Sequence, residues 1–118
     1  LEFRRVLFRS RGQIVFVNSS AGLAARAGVS QYAATKHALK AFADSLREEV
    51  HAAGVRVISV YPGRTATRMQ ERVRALEQQP YEPEACLQPA DIATAIVAAL
   101  AMPDSAEIKD ISLRPMRE

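Results

Sequence analysis

Three stretches of the chain are apolar, rich in β-branched residues and short enough to be strands. The first, 12–20, contains the continuous apolar run 14–17 between a glycine and the polar residues Asn-Ser-Ser. The second, 55–63, reads VRVISVYPG, and the third, 107–115, alternates apolar and polar residues. Continuous apolar runs of this length are typical of strands that are buried on both faces of a parallel sheet.

Helical periodicity fills the segments between these strands. The longest helix is predicted from Ser30, a suitable N-cap, to about Ala53, with Gly54 ending it. Its apolar residues recur at threes and fours and predict one buried stripe: Ala34, Ala38, Ala41, Phe42, Ser45, Leu46 and Val50. Its predicted polar face comprises Lys40, Arg47, Glu48 and Glu49. Shorter helices are predicted over 67–79 and 89–101, and 21–29 and 80–89 are predicted loops.

The order of these elements predicts the fold class. Strand, helix, strand, helix, strand is typical of a parallel α/β sheet with crossover helices. Doubly wound sheets of this kind bind ligands beyond the carboxyl ends of their strands, so the polar loops 18–22 and 61–68 form the candidate site. Such sheets usually have more than three strands, and three strands alone leave a long apolar edge unpaired, which favours aggregation.

Composition and charge restrict the class of protein further. With 118 residues, 48% apolar and 25% charged, the chain has room for one modest globular domain. The net charge of +3 arises within residues 1–11, and the remainder holds 12 basic and 12 acidic residues, so no nucleic-acid partner is predicted. The single cysteine, Cys86, cannot form an internal disulfide, and no apolar run reaches membrane-spanning length, so neither an oxidising compartment nor a membrane partner is indicated.

The first ten residues, LEFRRVLFRS, resemble the translation of a sequencing-adapter oligonucleotide. We therefore predict that residues 1–11 are a non-native scar and that residues 12–118 are the C-terminal half of a larger domain. A basic amphipathic terminus or a targeting peptide is the alternative interpretation.

A tyrosine and a lysine have the spacing of an acid/base pair. Tyr32 and Lys36 are four residues apart at the start of the long helix, so they share one face. The ordinary pKa of a phenol, about 10, is too high for efficient proton transfer near neutral pH, and a nearby ammonium group favours the phenolate. The same spacing also occurs by chance in helices, where it marks an exposed pair of residues.

Small and polar residues after the strands complete the candidate site. Ser19 ends the first strand and is suited to donate a hydrogen bond to a substrate carbonyl oxygen, although a serine that caps backbone groups is the alternative. Gly63 permits close approach of a flat ligand, with Thr67 four residues later; a plain turn and a helix N-cap are the alternatives. The histidines and Cys86 lack the spacing of a metal site, so no metal is predicted.

Three motifs in order resemble the catalytic half of the short-chain dehydrogenase/reductase family. IVFVNSSAG is similar to the family's strand with the catalytic serine, YAATK to its Tyr-x-x-x-Lys, and GVRVISVYPGRTAT to its strand followed by Pro-Gly-x-x-x-Thr. The resemblance covers residues 12 to about 115 and implies a partial Rossmann-like doubly wound parallel sheet. The family's glycine-rich phosphate turn and catalytic asparagine would precede residue 12.

The resemblance implies an NAD(P)-dependent oxidoreductase that interconverts a carbonyl and an alcohol by hydride transfer. Tyr32 would be the acid/base, Lys36 would assist it and bind the nicotinamide ribose, and Ser19 would hold the substrate oxygen. The implied cofactor-binding residues are Tyr32, Lys36, Pro62, Gly63, Thr65 and Thr67. Thr65 stands where the family often has a larger apolar residue, and the segment from Thr67 to about Tyr81 would cover the substrate.

The family further implies a small-molecule substrate, NAD or NADP as cofactor, a homodimeric or homotetrameric parent protein and a cytoplasmic location. Arg64 and Arg68 flank the Pro-Gly turn and are interpreted as solvated charge rather than as ligands of cofactor phosphate. The isolated chain is predicted to be inactive, because half of the dinucleotide site is missing. The alternatives are a non-catalytic binding or sensor protein on the same fold and an epimerase-type relative, which shares Tyr-x-x-x-Lys.

Overall fold

The computed structural model describes residues 12–117, and the predicted scar, residues 1–11, lies outside the described residues. The strands are β1, Gln13–Val17; β2, Arg56–Pro62; and β3, Asp110–Leu113. The helices are α1, Ser30–Val50; α2, Arg68–Leu76; and α3, Pro89–Leu100. Short 3₁₀ turns lie at Ser20–Gly22, His51–Ala53 and Pro83–Ala85.

The sheet has the order β1-β2-β3 and both strand pairs are parallel, which confirms the predicted α/β architecture. Val15 lies opposite Ile58, and Val60 lies opposite Ile111. Because β2 is central, its residues 57–61 are buried. β1 and β3 each keep one edge without a strand partner among residues 12–117, so the sheet described here has two exposed edges.

Successive side chains of β2 enter two separate apolar cores, because neighbouring residues of a strand point to opposite faces of the sheet. Val57 packs with Ala43 and Val50 of α1 on one face. Ile58 and Val60 pack with Ala99 of α3 on the other face. The result is a three-layer arrangement in which α1 and α3 sandwich the sheet. Within residues 12–117, no helix is both long and apolar enough to cross a bilayer.

The buried face of α1 differs from the predicted alanine-rich stripe. The residues of α1 that are buried are Ala33, Ala43, Arg47 and Val50. Five residues of the predicted stripe are exposed instead: Ala34, Ala38, Ala41, Phe42 and Ser45. Phe42 is 60% exposed and reaches the sheet through an edge-to-face contact with Phe16. The prediction was wrong at these positions because α1 rests on the sheet through a narrow face, whereas periodicity counts every apolar residue of a helix alike.

Arg47 also contradicts its predicted place on the polar face of α1. Its side chain is 4% exposed, and its guanidinium donates to the carbonyl oxygens of Val57 at 2.8 Å and Lys109 at 3.0 Å. It also donates to the carboxylate of Asp44 at 2.8 Å, and the carboxylate of Asp110 lies 3.8 Å away. A buried guanidinium is tolerated when its donors are satisfied in this way. Arg47 therefore ties α1 to β2 and to the start of β3.

Candidate active site

A cleft of about 500 Å³ lies at the carboxyl ends of β1 and β2. Parallel strands end at the same edge of a sheet, so the loops that follow them converge there. The cleft is lined by all seven residues that the motifs indicated: Ser19, Tyr32, Lys36, Pro62, Gly63, Thr65 and Thr67. Side chains from β1, α1 and the loop after β2 therefore share one concave surface.

Asn18, which the motifs did not indicate, holds the first turns of α1 against the end of β1. Its side chain is 5% exposed, its amide nitrogen donates to the carbonyl oxygen of Lys36 at 3.1 Å, and its amide oxygen accepts from the backbone N–H of Ser19 at 2.8 Å. Its own backbone N–H donates to the carbonyl oxygen of Val60 at 2.7 Å. One residue thus joins β1, β2 and α1. Its signal in the sequence is a polar amide directly after an apolar run, at the carboxyl end of a strand.

Gly22 packs its backbone directly on this amide. A Cβ atom at Gly22 would lie 2.6 Å from the amide oxygen of Asn18 and 3.1 Å from its Cγ. Because both atoms belong to a buried, hydrogen-bonded side chain, they have little room to move away. The 3₁₀ turn after β1 therefore requires glycine at this position.

The hydroxyl of Ser19 has a structural role as a hydrogen-bond acceptor, and its O–H group remains available as a donor. Its hydroxyl oxygen accepts from the backbone N–H of Ala21 at 3.1 Å and so caps the 3₁₀ turn, as the capping alternative predicted. A hydroxyl that accepts a hydrogen bond can still donate its own proton. Among residues 12–117, the hydroxyl of Ser19 makes this one side-chain hydrogen bond, as acceptor, and donates none. Ser19 is therefore oriented by the backbone and able to donate to a ligand in the cleft.

Tyr32 and Lys36 lie on one face of α1, as their spacing predicted. The ammonium nitrogen of Lys36 lies 5.7 Å from the centroid of the Tyr32 ring, within the range of a cation–π contact. The side chain of Tyr32 is 42% exposed, so it is accessible to a ligand. No carboxylate of the described chain pairs with Lys36, and its charge is available to the cleft.

The two other tyrosines do not line the cleft. Tyr61 is 1% exposed in β2, its hydroxyl has no hydrogen-bond partner among residues 12–117, and burial raises the pKa of its phenol. Burial likewise raises the pKa of Tyr81. A phenol that is held in its protonated form is a poor base near neutral pH. Tyr32 is therefore the candidate acid/base among the tyrosines.

The residues after β2 each have a local structural role as well. The hydroxyl of Thr65 donates to the carbonyl oxygen of Gly63 at 3.0 Å, and the hydroxyl of Thr67 accepts from the backbone N–H of Gln70 at 3.1 Å, which makes it the N-cap of α2. A Cβ atom at Gly63 would lie 3.3 Å from Cδ of Pro115, so close packing at the end of β3 favours glycine there independently of any ligand. The turn and N-cap alternatives are thus present in the structure, and both leave these residues at the surface of the cleft.

Helix α2 forms one wall of the cleft. Met69, Gln70 and Val73 line the cleft from this helix, and Glu77 lines it from the position directly after the helix. The guanidinium of Arg64 lies 3.3 Å from the carboxylate of Glu77, so Arg64 is paired rather than simply solvated. Within the described residues, no group of three or more His, Cys, Asp or Glu side chains is arranged to hold a metal ion.

The chain is similar to a known family and to curated proteins. A family profile described as short chain dehydrogenase matches residues 3–78. That match begins inside the segment predicted to be a scar, so the origin of residues 1–11 stays a prediction. A short-chain type dehydrogenase/reductase of Sinorhizobium fredii is 30% identical over 115 residues, which cover 95% of this chain and 46% of the relative.

Solved structures show the same architecture. A β-ketoacyl-[ACP] reductase (FabG) from Bacteroides thetaiotaomicron matches with a TM-score of 0.75 and 30% identity, over 98% of this chain and 45% of that one. The closed form of a serine dehydrogenase complexed with NADP+ matches with a TM-score of 0.76 and 25% identity, over 93% of this chain and 46% of that one. The chain thus spans about half the length of these proteins.

Proposed function

Because the chain belongs to the short-chain dehydrogenase/reductase family, we propose that it is the C-terminal half of an NAD(P)-dependent oxidoreductase that interconverts a carbonyl and an alcohol. The observation that carries this proposal is the convergence of seven motif residues on one cleft. These residues come from three separate segments of the chain. Retention of Ser19, Tyr32 and Lys36 together favours catalysis over a sensor role on the same fold.

The cleft has the character of a site for the nicotinamide end of the cofactor. Apolar side chains, among them Val17, Met69 and Ile92, line it together with a few polar groups, which is the usual composition of a small-molecule site. The unpaired ammonium of Lys36 is suited to bind a ribose hydroxyl. When bound there, NAD(P) supplies or accepts the hydride. The residues of this chain supply position and electrostatics.

Tyr32 moves the proton in this proposal. In the oxidative direction its oxygen takes the proton of the substrate hydroxyl, and in the reductive direction it returns a proton to the substrate oxygen. Lys36 places a positive charge on the same face of α1, with its ammonium nitrogen 5.7 Å from the centroid of the Tyr32 ring.

Ser19 holds the substrate oxygen. Its hydroxyl oxygen is held at the edge of the cleft by the N–H of Ala21, and its O–H can rotate to donate to a ligand there. A hydrogen bond to an oxygen that gains negative charge during the reaction stabilises the transition state more than the ground state. Asn18 supports this geometry because its amide contacts both the backbone of Ser19 and the backbone of Lys36.

The test is turnover by the longer protein that carries this chain. We expect NAD(P)-dependent conversion of ketones or secondary alcohols, and we expect Tyr32→Phe to lower kcat by roughly 10²- to 10⁴-fold with an unchanged circular dichroism spectrum. Cofactor binding and activity that are both unchanged in Tyr32→Phe would contradict the assigned role. The 118-residue chain by itself is the matched control, and turnover by it would overturn the proposal that half of the site lies elsewhere.

A further inference from the structure

We propose that the substrate of this enzyme carries an anionic group, a carboxylate or a phosphate, and that arginines of a second cavity bind that group. This proposal rests on the function proposed above and names the class of its substrate. The second cavity has a volume of about 500 Å³. It adjoins the cleft, since Ser20, Arg26, Gly63 and Arg64 line both spaces.

Five arginines line this second cavity, and they come from four separate parts of the chain. Arg26 follows the turn after β1, Arg64 follows β2 and Arg74 lies on α2, while Arg114 and Arg117 follow β3. No local run of basic residues creates the cluster. The fold gathers these side chains from positions up to 91 residues apart, at the same end of the sheet as the cleft.

Carboxylates compensate only part of this charge. Glu82 lines the cavity, and Glu77 lies 3.3 Å from Arg64 and 3.6 Å from Arg74. In the described part of the chain, no carboxylate lies within ion-pair distance of the remaining three, Arg26, Arg114 and Arg117. These three side chains are exposed, so a ligand can reach their positive charges from the cavity.

The chemistry of the donors points to a carboxylate or a phosphate. A guanidinium presents a planar set of N–H donors that matches the paired oxygens of either group. The same cavity has apolar walls from Pro80, Ala85, Leu113 and Pro115, beside which the carbon chain of a small substrate can lie. The cavity therefore suits a short organic anion.

The position of the cavity assigns the anion to the substrate rather than to the cofactor. It meets the cleft at Ser20, next to Ser19, which holds the substrate oxygen in the proposed function, and at Gly63, the one implied cofactor-binding residue that lines both spaces. Tyr32, Lys36 and the two threonines line the cleft and not the second cavity. The second cavity therefore begins beside the proposed position of the substrate oxygen. Lys36, the proposed contact of the cofactor ribose, does not line it.

The experiment compares matched substrates in the longer protein that carries this chain. One pair is a keto acid and its methyl ester, and the other is a phosphorylated ketone and the same ketone without its phosphate. We expect kcat/KM for one anionic member to exceed that of its neutral partner at least tenfold. Which pair shows the preference identifies the anion as carboxylate or phosphate.

Two variants test the arginines directly. Arg114→Gln and Arg117→Gln, at two arginines that line the second cavity and not the cleft, are expected to lower kcat/KM for the preferred anion by roughly 10- to 100-fold, mainly through KM, and to leave the neutral partner unchanged. Arg72→Gln is the matched control, because Arg72 is an exposed residue of α2 that lines neither cavity. It is expected to leave both substrates unaffected.

The outcomes separate this proposal from the one on which it rests. Equal kcat/KM for charged and neutral partners in an active enzyme overturns the anionic substrate and leaves the oxidoreductase function intact. Weaker cofactor binding in Arg114→Gln, with the substrate preference unchanged, also overturns it, because the arginine would then serve the cofactor. No turnover of any substrate with either cofactor contradicts the oxidoreductase function itself.

Discussion

The two ends of α1 are held by the sheet in different ways. In its C-terminal half, Ala43 and Val50 are buried in the core. Arg47 in the same half donates hydrogen bonds to the backbone carbonyl of Val57 in β2 and to that of Lys109, directly before β3. In its N-terminal half, Tyr32 is 42% exposed and the backbone of Lys36 is tied to the sheet by the amide of Asn18. One helix thus has an anchored end and an accessible end.

This difference shows how an exposed site keeps its geometry. Reactive side chains must be reached by a ligand, so they contribute little to the core that positions them. Their placement then depends on rigid elements and on a small number of supporting hydrogen bonds. The C-terminal half of α1 supplies rigidity, and Asn18 supplies the local contact. Substitutions at the accessible end should therefore lower activity, and substitutions at the anchored end should lower stability.

The largest expected effect separates two lysines one turn apart. In the longer protein, Lys36→Met should lower kcat/KM by roughly 10³-fold, because it removes the positive charge beside Tyr32. Lys40→Met is the matched control: Lys40 pairs with Asp44 at 2.6 Å and does not line the cleft, so activity should stay within about twofold. Steady-state kinetics measure both variants. Equal activity of the two would contradict a role of Lys36 in catalysis.

The next effect concerns the anchored end. Arg47→Ala should lower the free energy of unfolding by about 3 kcal/mol, because buried carbonyls lose their donor and a cavity is left. Urea unfolding of the longer protein measures this. Glu48→Ala, at the exposed neighbouring position, should change that free energy by less than about 0.5 kcal/mol. An Arg47→Ala variant as stable as the wild type would show that the guanidinium does not anchor α1.

A smaller effect is expected at the amide of Asn18, which ties the N-terminal half of α1 to the end of β1. Asn18→Ala should lower kcat about tenfold, because the backbone of Lys36 loses its tie to β1. Thr35→Ala is the control and should leave kcat unchanged. Thr35 is an exposed residue of α1 whose hydroxyl bonds only within the helix, to the carbonyl oxygen of Tyr32. Full kcat in Asn18→Ala, measured well below its unfolding temperature, would restrict Asn18 to a structural role.

The elements were predictable where the sequence signal is local. The second strand was predicted over 55–63 and is Arg56–Pro62, and the last helix was predicted over 89–101 and is Pro89–Leu100. The last strand was predicted over 107–115 and is only Asp110–Leu113. At its start, the backbone N–H of Val57 donates to the side-chain carboxylate of Glu107 instead of to a backbone carbonyl of a neighbouring strand. The positions of Ser19 and of the Pro-Gly turn were predictable for the same reason, since they directly follow strands, whereas Tyr32 and Lys36 lie on α1; the catalytic roles of these residues stay predictions.

The unpredicted features depend on partners that are distant in the chain. Arg47 bonds to the carbonyl of Lys109, and Asn18 bonds to that of Lys36, and neither partner follows from periodicity. Periodicity shows which residues share a face of a helix but not which face another element covers, so Phe42 was wrongly predicted to be buried. The arginine cavity was not predicted either, because its members are scattered along the chain.

The smallest expected effect is the pH dependence of the ion pair in the middle of α1. The hydrogen bond from Lys40 holds the pKa of Asp44 below its ordinary value, with Arg47 acting in the same direction, and the hydrogen bond to Asp44 raises the pKa of Lys40. A carboxyl group whose pKa is lower in the folded state stabilises the fold above its ordinary pKa, and this contribution is lost as pH falls through the folded value. The contribution of Lys40 is present below its ordinary pKa and is lost as pH rises through its folded value.

Asp44→Asn should therefore be less stable than the wild type at pH 7, and the difference should shrink as the pH falls below about 4, the ordinary pKa of aspartate. Thermal unfolding of both proteins from pH 7 to pH 3 measures this difference. It should be small, because Asp44 and Lys40 are partly exposed and the pair is screened by salt. A gap that stays constant in acid would mean that Asp44 acts through hydrogen bonds rather than through its charge. Asp44 would then belong with Arg47 to the anchored end of α1.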